Sequence, residues 1–150
     1  MRADRRAEVV WQGDLMSGSG TITSTGSGAL QNLSVSWKAR TEEPGGSTSP
    51  EELVAAAEAA CFSMALSHGL AQQGSPPERL DTSAVCSFEK VGDGWSITRL
   101  ALEVEGQVPG IDEQAFREAA EDAKAGCPVS SALAGNVEIT VTPRLVQTVG

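Results

Sequence analysis

Ser49-Pro50-Glu51-Glu52-Leu53-Val54-Ala55-Ala56-Ala57-Glu58-Ala59-Ala60-Cys61-Phe62-Ser63-Met64-Ala65-Leu66 is the stretch on which the fold turns. Ser49 suits an N-cap, Pro50 the first helical position, and Glu52, three residues after the cap, completes the pattern of a capping box. The helix predicted from this start runs to about Gln73, where Gly74 supplies the stop. Its middle is apolar on nearly every side, and a helix without a polar face must be surrounded by protein. At ~1.5 Å per residue it spans roughly 36 Å, about the width of a domain this size. It is therefore expected to be a central helix, with alanines that let other backbones approach closely.

Outward from it, both flanks read as strand. Toward the N-terminus, Ala7–Trp11, Gly20–Ser24 and Leu33–Trp37 are rich in Val, Ile, Thr and Trp and are broken by Gly/Ser clusters, the punctuation of an antiparallel meander. Glu43-Pro44-Gly45-Gly46 forms a turn before the helix. Toward the C-terminus, Asp81–Lys90 and Ser96–Gln107 alternate with period two around Val91-Gly92-Asp93-Gly94, a hairpin signal. A second helix follows, with Asp112 as N-cap between Ile111 and Phe116 and an Ala115/Phe116/Ala119/Ala120/Ala123 stripe. Cys127-Pro128 breaks it, because a residue before proline is pushed out of helical geometry. Pro128–Ala134 then reads as a short restarted helix and Val137–Val141 as a last strand. The order βββ-α-ββ-α-α-β predicts the α+β class, antiparallel sheets around a long central helix, in one domain over residues 1–150.

Composition narrows the function. Hydrophobic residues make up 40% and aromatics only 4%, with no tyrosine, so the core is built from aliphatic side chains and no platform for stacking bases is expected. A net charge of −9 repels phosphate backbones and anionic lipid, which argues against nucleic acid and membrane as partners. No apolar segment follows the basic N-terminus as a signal peptide would require. No run approaches the ~20 apolar residues of a spanning helix, since Glu58 and Ser63 interrupt the best one. A cytoplasmic protein is expected. Three cysteines, Cys61, Cys86 and Cys127, do not make a secreted disulfide framework. Three scattered Cys and a single His also lack metal-ligand spacing.

The cysteines carry the candidate chemistry. Cys61 lies about eleven residues into its helix, out of reach of that helix's dipole, and apolar surroundings raise a thiol's pKa. Position alone favours an inert core thiol; reactivity would need a fixed cation, for which arginine is suited. Cys127, before Pro128, stands where it can cap the short helix and gain a thiolate from its N–H groups, or be a plain junction cysteine. Cys86 shares a strand face with Ala84 and Phe88 and reads as packing. Glu52 has the capping position, whereas Glu51 has no structural task that the sequence shows. Ten residues put Glu51 ~15 Å from Cys61 along one straight helix. If both serve one site, the helix bends or a second subunit supplies one of them. His68 shares the Cys61 face but stands ~10 Å further on, too far for a hydrolytic Cys–His dyad.

The stretch from Ser49 to Leu66 resembles the central helix of the OsmC/Ohr family, the osmotically inducible and organic hydroperoxide resistance proteins. A second match runs from Val108-Pro109-Gly110-Ile111-Asp112 through Glu118–Lys124 to Cys127-Pro128-Val129-Ser130, and the residues after Trp37 look closer to the OsmC branch. The resemblance implies an OsmC-like intertwined homodimer. It also implies a thiol peroxidase acting on organic hydroperoxides, and more weakly on hydrogen peroxide, in peroxide or osmotic stress. Matched position by position, Cys61 corresponds to the peroxidatic cysteine and Cys127 to the resolving one. Arg40, in Trp37-Lys38-Ala39-Arg40, corresponds to the arginine that stabilises the thiolate, and Glu51 to the carboxylate that holds it. The implied cycle passes through a Cys61 sulfenic acid and a Cys61–Cys127 disulfide. An external dithiol or lipoyl-type reductant regenerates it, with no bound cofactor or metal. Glu58 departs from the family, where this position often holds His or Tyr. A carboxylate facing the thiol would oppose thiolate formation. Glu58 thus motivates a second expectation, a redox-responsive binding protein with little turnover.

Overall fold

The computed structural model describes residues 1–146. The chain forms two compact units, Met1–Leu53 and the residues from Val54 onward.

The first unit is an antiparallel sheet in the order β1 (Ala7–Gln12), β2 (Ser19–Thr25), β3 (Gln31–Val35). Asp14 closes the first turn: its carboxylate accepts from Ser17 N–H at 2.7 Å, which holds the Asp14 carboxyl below its usual pKa range. Gly20 is needed where β2 runs between Trp11 of β1 and Val35 of β3. A Cβ there would stand 2.6 Å from the Trp11 ring and 2.8 Å from Val35. The third strand is as long as the sequence predicts but lies two residues earlier. It ends at Val35 because Ser36 takes the N-cap of a short helix, α1 (Trp37–Thr41), with its hydroxyl accepting from Ala39 N–H at 3.1 Å. Trp37, Lys38 and Arg40 are therefore helical.

Helix α2 (Pro50–Gln72) begins in this unit and gives most of its length to the second. Ser49 caps it as predicted, accepting from Glu52 N–H at 3.1 Å. The reciprocal half of the capping box is replaced: Glu52 accepts instead from the Thr48 hydroxyl at 2.8 Å, a neutral donor one residue earlier. At the far end Gly74, at φ 85°, lets Ser75 N–H reach back to the Leu70 carbonyl at 2.9 Å, a Schellman stop.

In the second unit, β4 (Arg79–Val91) and β5 (Gly94–Gln107) pair antiparallel around the two-residue turn Gly92-Asp93. Helices α3 (Glu113–Gly126) and α4 (Pro128–Leu133) then carry the chain to β6 (Glu138–Leu145). β6 pairs parallel to β5, so this sheet is mixed, in the order β4-β5-β6. β6 runs past the predicted end at Val141 through Pro143, which an edge strand tolerates because one row of its N–H groups needs no partner. Asp112 caps α3, accepting from Ala115 N–H at 2.8 Å. The core joins Phe62, Leu66 and Leu70 of α2 to Leu102 and Val104 of β5 and to Phe116 and Ala120 of α3. Gly106 lies flat beneath Phe116, since a Cβ would sit 2.5 Å from the ring.

Only this edge of α2 is enclosed. Ala56, Ala57, Ala60, Met64 and His68 are exposed, Met64 at 73%. The sequence expectation of a fully surrounded helix is not met within one chain, because the unit has one sheet face and the helices α3 and α4 to lay against it. At 23 residues α2 is also long and apolar enough to cross a bilayer, contrary to the sequence reading that no run is. Its Phe62–Leu66–Leu70 edge is spent on this chain's own core, as in a core helix.

Candidate active site

The second unit brings the two key cysteines together. Cys61 rides on the half-buried side of α2, one residue before the core contact Phe62. Cys127 is fully buried at the joint where proline ends α3 and starts α4. All three cysteines are free thiols, and Cys127 lies close enough to Cys61 to raise the pKa of its thiol. Cys127 occupies the N-cap of α4, as one of the two sequence readings has it, yet its side chain caps nothing. The Val129 backbone lies close enough to the Cys61 sulfur to favour its thiolate. A thiol too deep in its own helix to feel that helix's dipole thus has a backbone amide of another helix beside it.

Several effects compete at Cys61. Burial pushes its thiol above the ordinary range, and the neighbouring Cys127 and the negative charge of Glu58 push the same way; only the Val129 amide favours the thiolate. Within this unit the balance keeps the thiol protonated, so a thiolate at neutral pH needs a cation from elsewhere.

A second contact runs beside the sulfurs. Glu58 is fully buried, and its Oε1 accepts from the Ser130 hydroxyl. Its Oε2 has no hydrogen-bond partner among the described residues. Glu58 and Cys61 are three apart on α2, and Cys127 and Ser130 are three apart across the start of α4. The two pairs lie side by side, Cys61 with Cys127 and the Glu58 carboxylate with the Ser130 hydroxyl. Ser130 and the Val129 amide escape a reading of sequence alone. The signal was the shared spacing of three, which gains meaning only when positions 58 and 130 are known to be neighbours.

Beside the thiol pair lies a groove of about 490 Å³ lined by Cys61, Met64, Ala65, His68, Ala119 and Asp122 among others. It is mostly apolar near the sulfur, with His68 and Asp122 as polar groups. Cys86 is half-buried on the Ala84 face of β4, as a packing residue would be.

The first unit holds the other pair. The Arg40 Nε donates to both oxygens of Glu51, at 2.9 and 3.1 Å, and its Nη2 stands 2.8 Å from Oε1. Glu51 is buried in the first turn of α2, where the helix N-terminus favours its charge. Arg40 lies near the Trp37 ring, 5.9 Å from its centroid. It also borders an apolar hollow of about 250 Å³ with Trp11, Leu15, Val35 and Trp37. A two-toothed ion pair of this kind fixes the direction of a guanidinium. The four residues singled out from sequence thus stand as two pairs, Arg40 with Glu51 and Cys61 with Cys127.

A sequence model of the OsmC-like protein family matches residues 43–142. The chain is 45% identical over 145 residues to the peroxiredoxin OsmC of Escherichia coli, covering 97% of this chain and 99% of that protein. It is 31% identical over 99 residues to the organic hydroperoxide resistance protein of Xanthomonas axonopodis pv. citri, covering 65% of this chain and 68% of that one. Among solved structures, the organic hydroperoxide resistance protein OhrB of Bacillus subtilis matches with a TM-score of 0.71 at 26% identity. That match covers 93% of this chain and 98% of the other.

Proposed function

The chain belongs to the OsmC-like protein family, and from that premise we propose a thiol-dependent peroxidase that reduces organic hydroperoxides, and hydrogen peroxide more weakly, in peroxide defence. The observation that carries the reading is the neighbouring free thiols Cys61 and Cys127, beside an apolar groove, in a relative of a peroxiredoxin. The Cys61 thiolate attacks one oxygen of the hydroperoxide and breaks the O–O bond; the other oxygen leaves as an alcohol after taking a proton. Cys61 becomes a sulfenic acid, which condenses with the Cys127 thiol to a disulfide and water. An external dithiol, of simple or lipoyl type, restores both thiols by exchange.

Arg40 is assigned the charge that offsets the raised pKa of Cys61, and Glu51 the task of aiming it. An intertwined homodimer in which each protomer is one OsmC-like domain is part of the same reading. The exposed α2 face around Met64 and the exposed Val9, Val10 and Trp11 of β1 are apolar surface for a partner to cover. The need for a dithiol reductant suits a reducing, cytoplasmic setting.

Consumption of cumene hydroperoxide with a dithiol present tests the proposal: Cys61→Ser should abolish it. Unchanged consumption by that variant would sink the reading. A second reading, a redox-responsive binding protein with little turnover, draws on the buried Glu58 charge beside Cys61. Steady-state turnover speaks for the peroxidase, and a single stoichiometric oxidation for the sensor. Sedimentation at micromolar concentration should give twice the chain mass.

A further inference from the structure

Glu58 is the one fully buried carboxylate beside the sulfurs, and the reaction as written above leaves it unused. Its Oε1 is held by Ser130, while its Oε2 is buried with no partner among the described residues. Burying a carboxylate oxygen without a partner is costly. Glu58 also hinders the first chemical step, since its charge disfavours the thiolate of Cys61. A group that is costly in the fold and adverse in one step calls for a step in which it helps.

Resting on the peroxidase reading, we propose that Glu58 is the proton acceptor for disulfide formation and that Ser130 positions it. Three residues along a helix bring two side chains to one face, with Cβ atoms ~5–6 Å apart, so Glu58 stands next to Cys61. The Ser130 hydroxyl fixes one carboxylate oxygen, leaving the other buried without a partner among the described residues and open to a proton. Disulfide formation needs the Cys127 sulfur deprotonated as it attacks the Cys61 sulfenic sulfur. Glu58 takes that proton, the S–S bond forms, and the S–O bond of the sulfenic acid breaks. The leaving hydroxide takes the proton back from Glu58 and departs as water. Atoms and charge balance, and the carboxylate is regenerated. The Ser130–Glu58 hydrogen bond also ties α4 to α2.

The two chemical steps separate this role from a structural one. Reduced full-length protein receives one equivalent of cumene hydroperoxide, and mass spectrometry after dimedone quenching counts sulfenic acid and disulfide with time. In Glu58→Gln, which removes the charge but keeps the shape, Cys61 oxidation should run at least as fast as in wild type. Disulfide formation should slow by roughly a hundredfold, so that sulfenic acid accumulates. Glu58→His, which supplies another proton acceptor, should recover most of that loss. Disulfide formation at the wild-type rate in Glu58→Gln overturns the proposal, as does slowing of both steps by the same factor. Ser130→Ala tests it independently: it keeps the carboxylate, so only the disulfide step should slow, and by less than in Glu58→Gln. Equal slowing of both steps in Ser130→Ala also overturns it. Cys61→Ser keeps the two levels apart. If that variant still consumes peroxide, the peroxidase reading falls; if it is inert while Glu58→Gln closes its disulfide normally, only the proton role falls.

Discussion

Arg40 and Cys61 illustrate how little a residue's identity decides by itself. The thiol sits where burial, Cys127 and the Glu58 charge all keep its proton on, against one backbone amide. The guanidinium is aimed by two contacts from Glu51. In the proposed reaction, Arg40→Ala should lower kcat/KM for cumene hydroperoxide by roughly a hundredfold, the usual loss for one charge-stabilising donor. Arg40→Lys should recover only part of it, because an ammonium cannot match the carboxylate fork. The raised pKa of Cys61 has a sign that alkylation can read. A raised pKa means less thiolate at a given pH, so removing a cause of the rise must bring the titration down. Cys127→Ala should therefore shift the pH profile of Cys61 alkylation by iodoacetamide toward lower pH than in wild type. A shift upward would mean that Cys127 supports the thiolate instead of holding its proton.

The elements were legible from sequence wherever the deciding contact is local. Ser49, Pro50 and Gly74 bound α2, and Asp112 with Pro128 bounds α3, because caps and breakers act within four residues. Where the sequence misleads, the winner is a competing local bond or a distant neighbour. Ser36 turns a strand-like Trp37 into a helix start, and the pairing of β6 with β5 carries it past Pro143. The Glu58–Ser130 hydrogen bond joins residues far apart in sequence, and no pattern announces such a meeting. Stability should follow the same division. Asp112→Ala should cost about 1 kcal/mol, the loss of one N-cap. Gly106→Ala should cost about 1–3 kcal/mol by forcing the Phe116 ring aside. Leu66→Ala, at a fully buried site, should cost about 2–5 kcal/mol. Urea unfolding of each variant checks all three, and the order matters more than the values.

For the molecule as a whole, fold class and central helix came from patterning, but the enclosure of that helix did not. Apolarity on all sides says that something must cover α2; it does not say whether the cover belongs to the same chain. In the proposed reaction the thiol pair has a global effect as well, since Cys61 and Cys127 lie on different elements with α3 and the β4–β5 hairpin between them. An S–S bond there closes a ring of roughly 70 residues and removes up to about 4 kcal/mol of freedom from the unfolded chain. Melting of the peroxide-treated protein should rise by on the order of 10 °C over the dithiol-treated one, measured by differential scanning calorimetry. Equal melting temperatures with the disulfide verified by mass would contradict this. The same ring would lengthen the protein's life during oxidative attack. Proteases cut the transiently opened chain, so the oxidised form would be degraded more slowly than the reduced one. Abundance would then climb while peroxide persists and decline once reductant returns, with no change in synthesis.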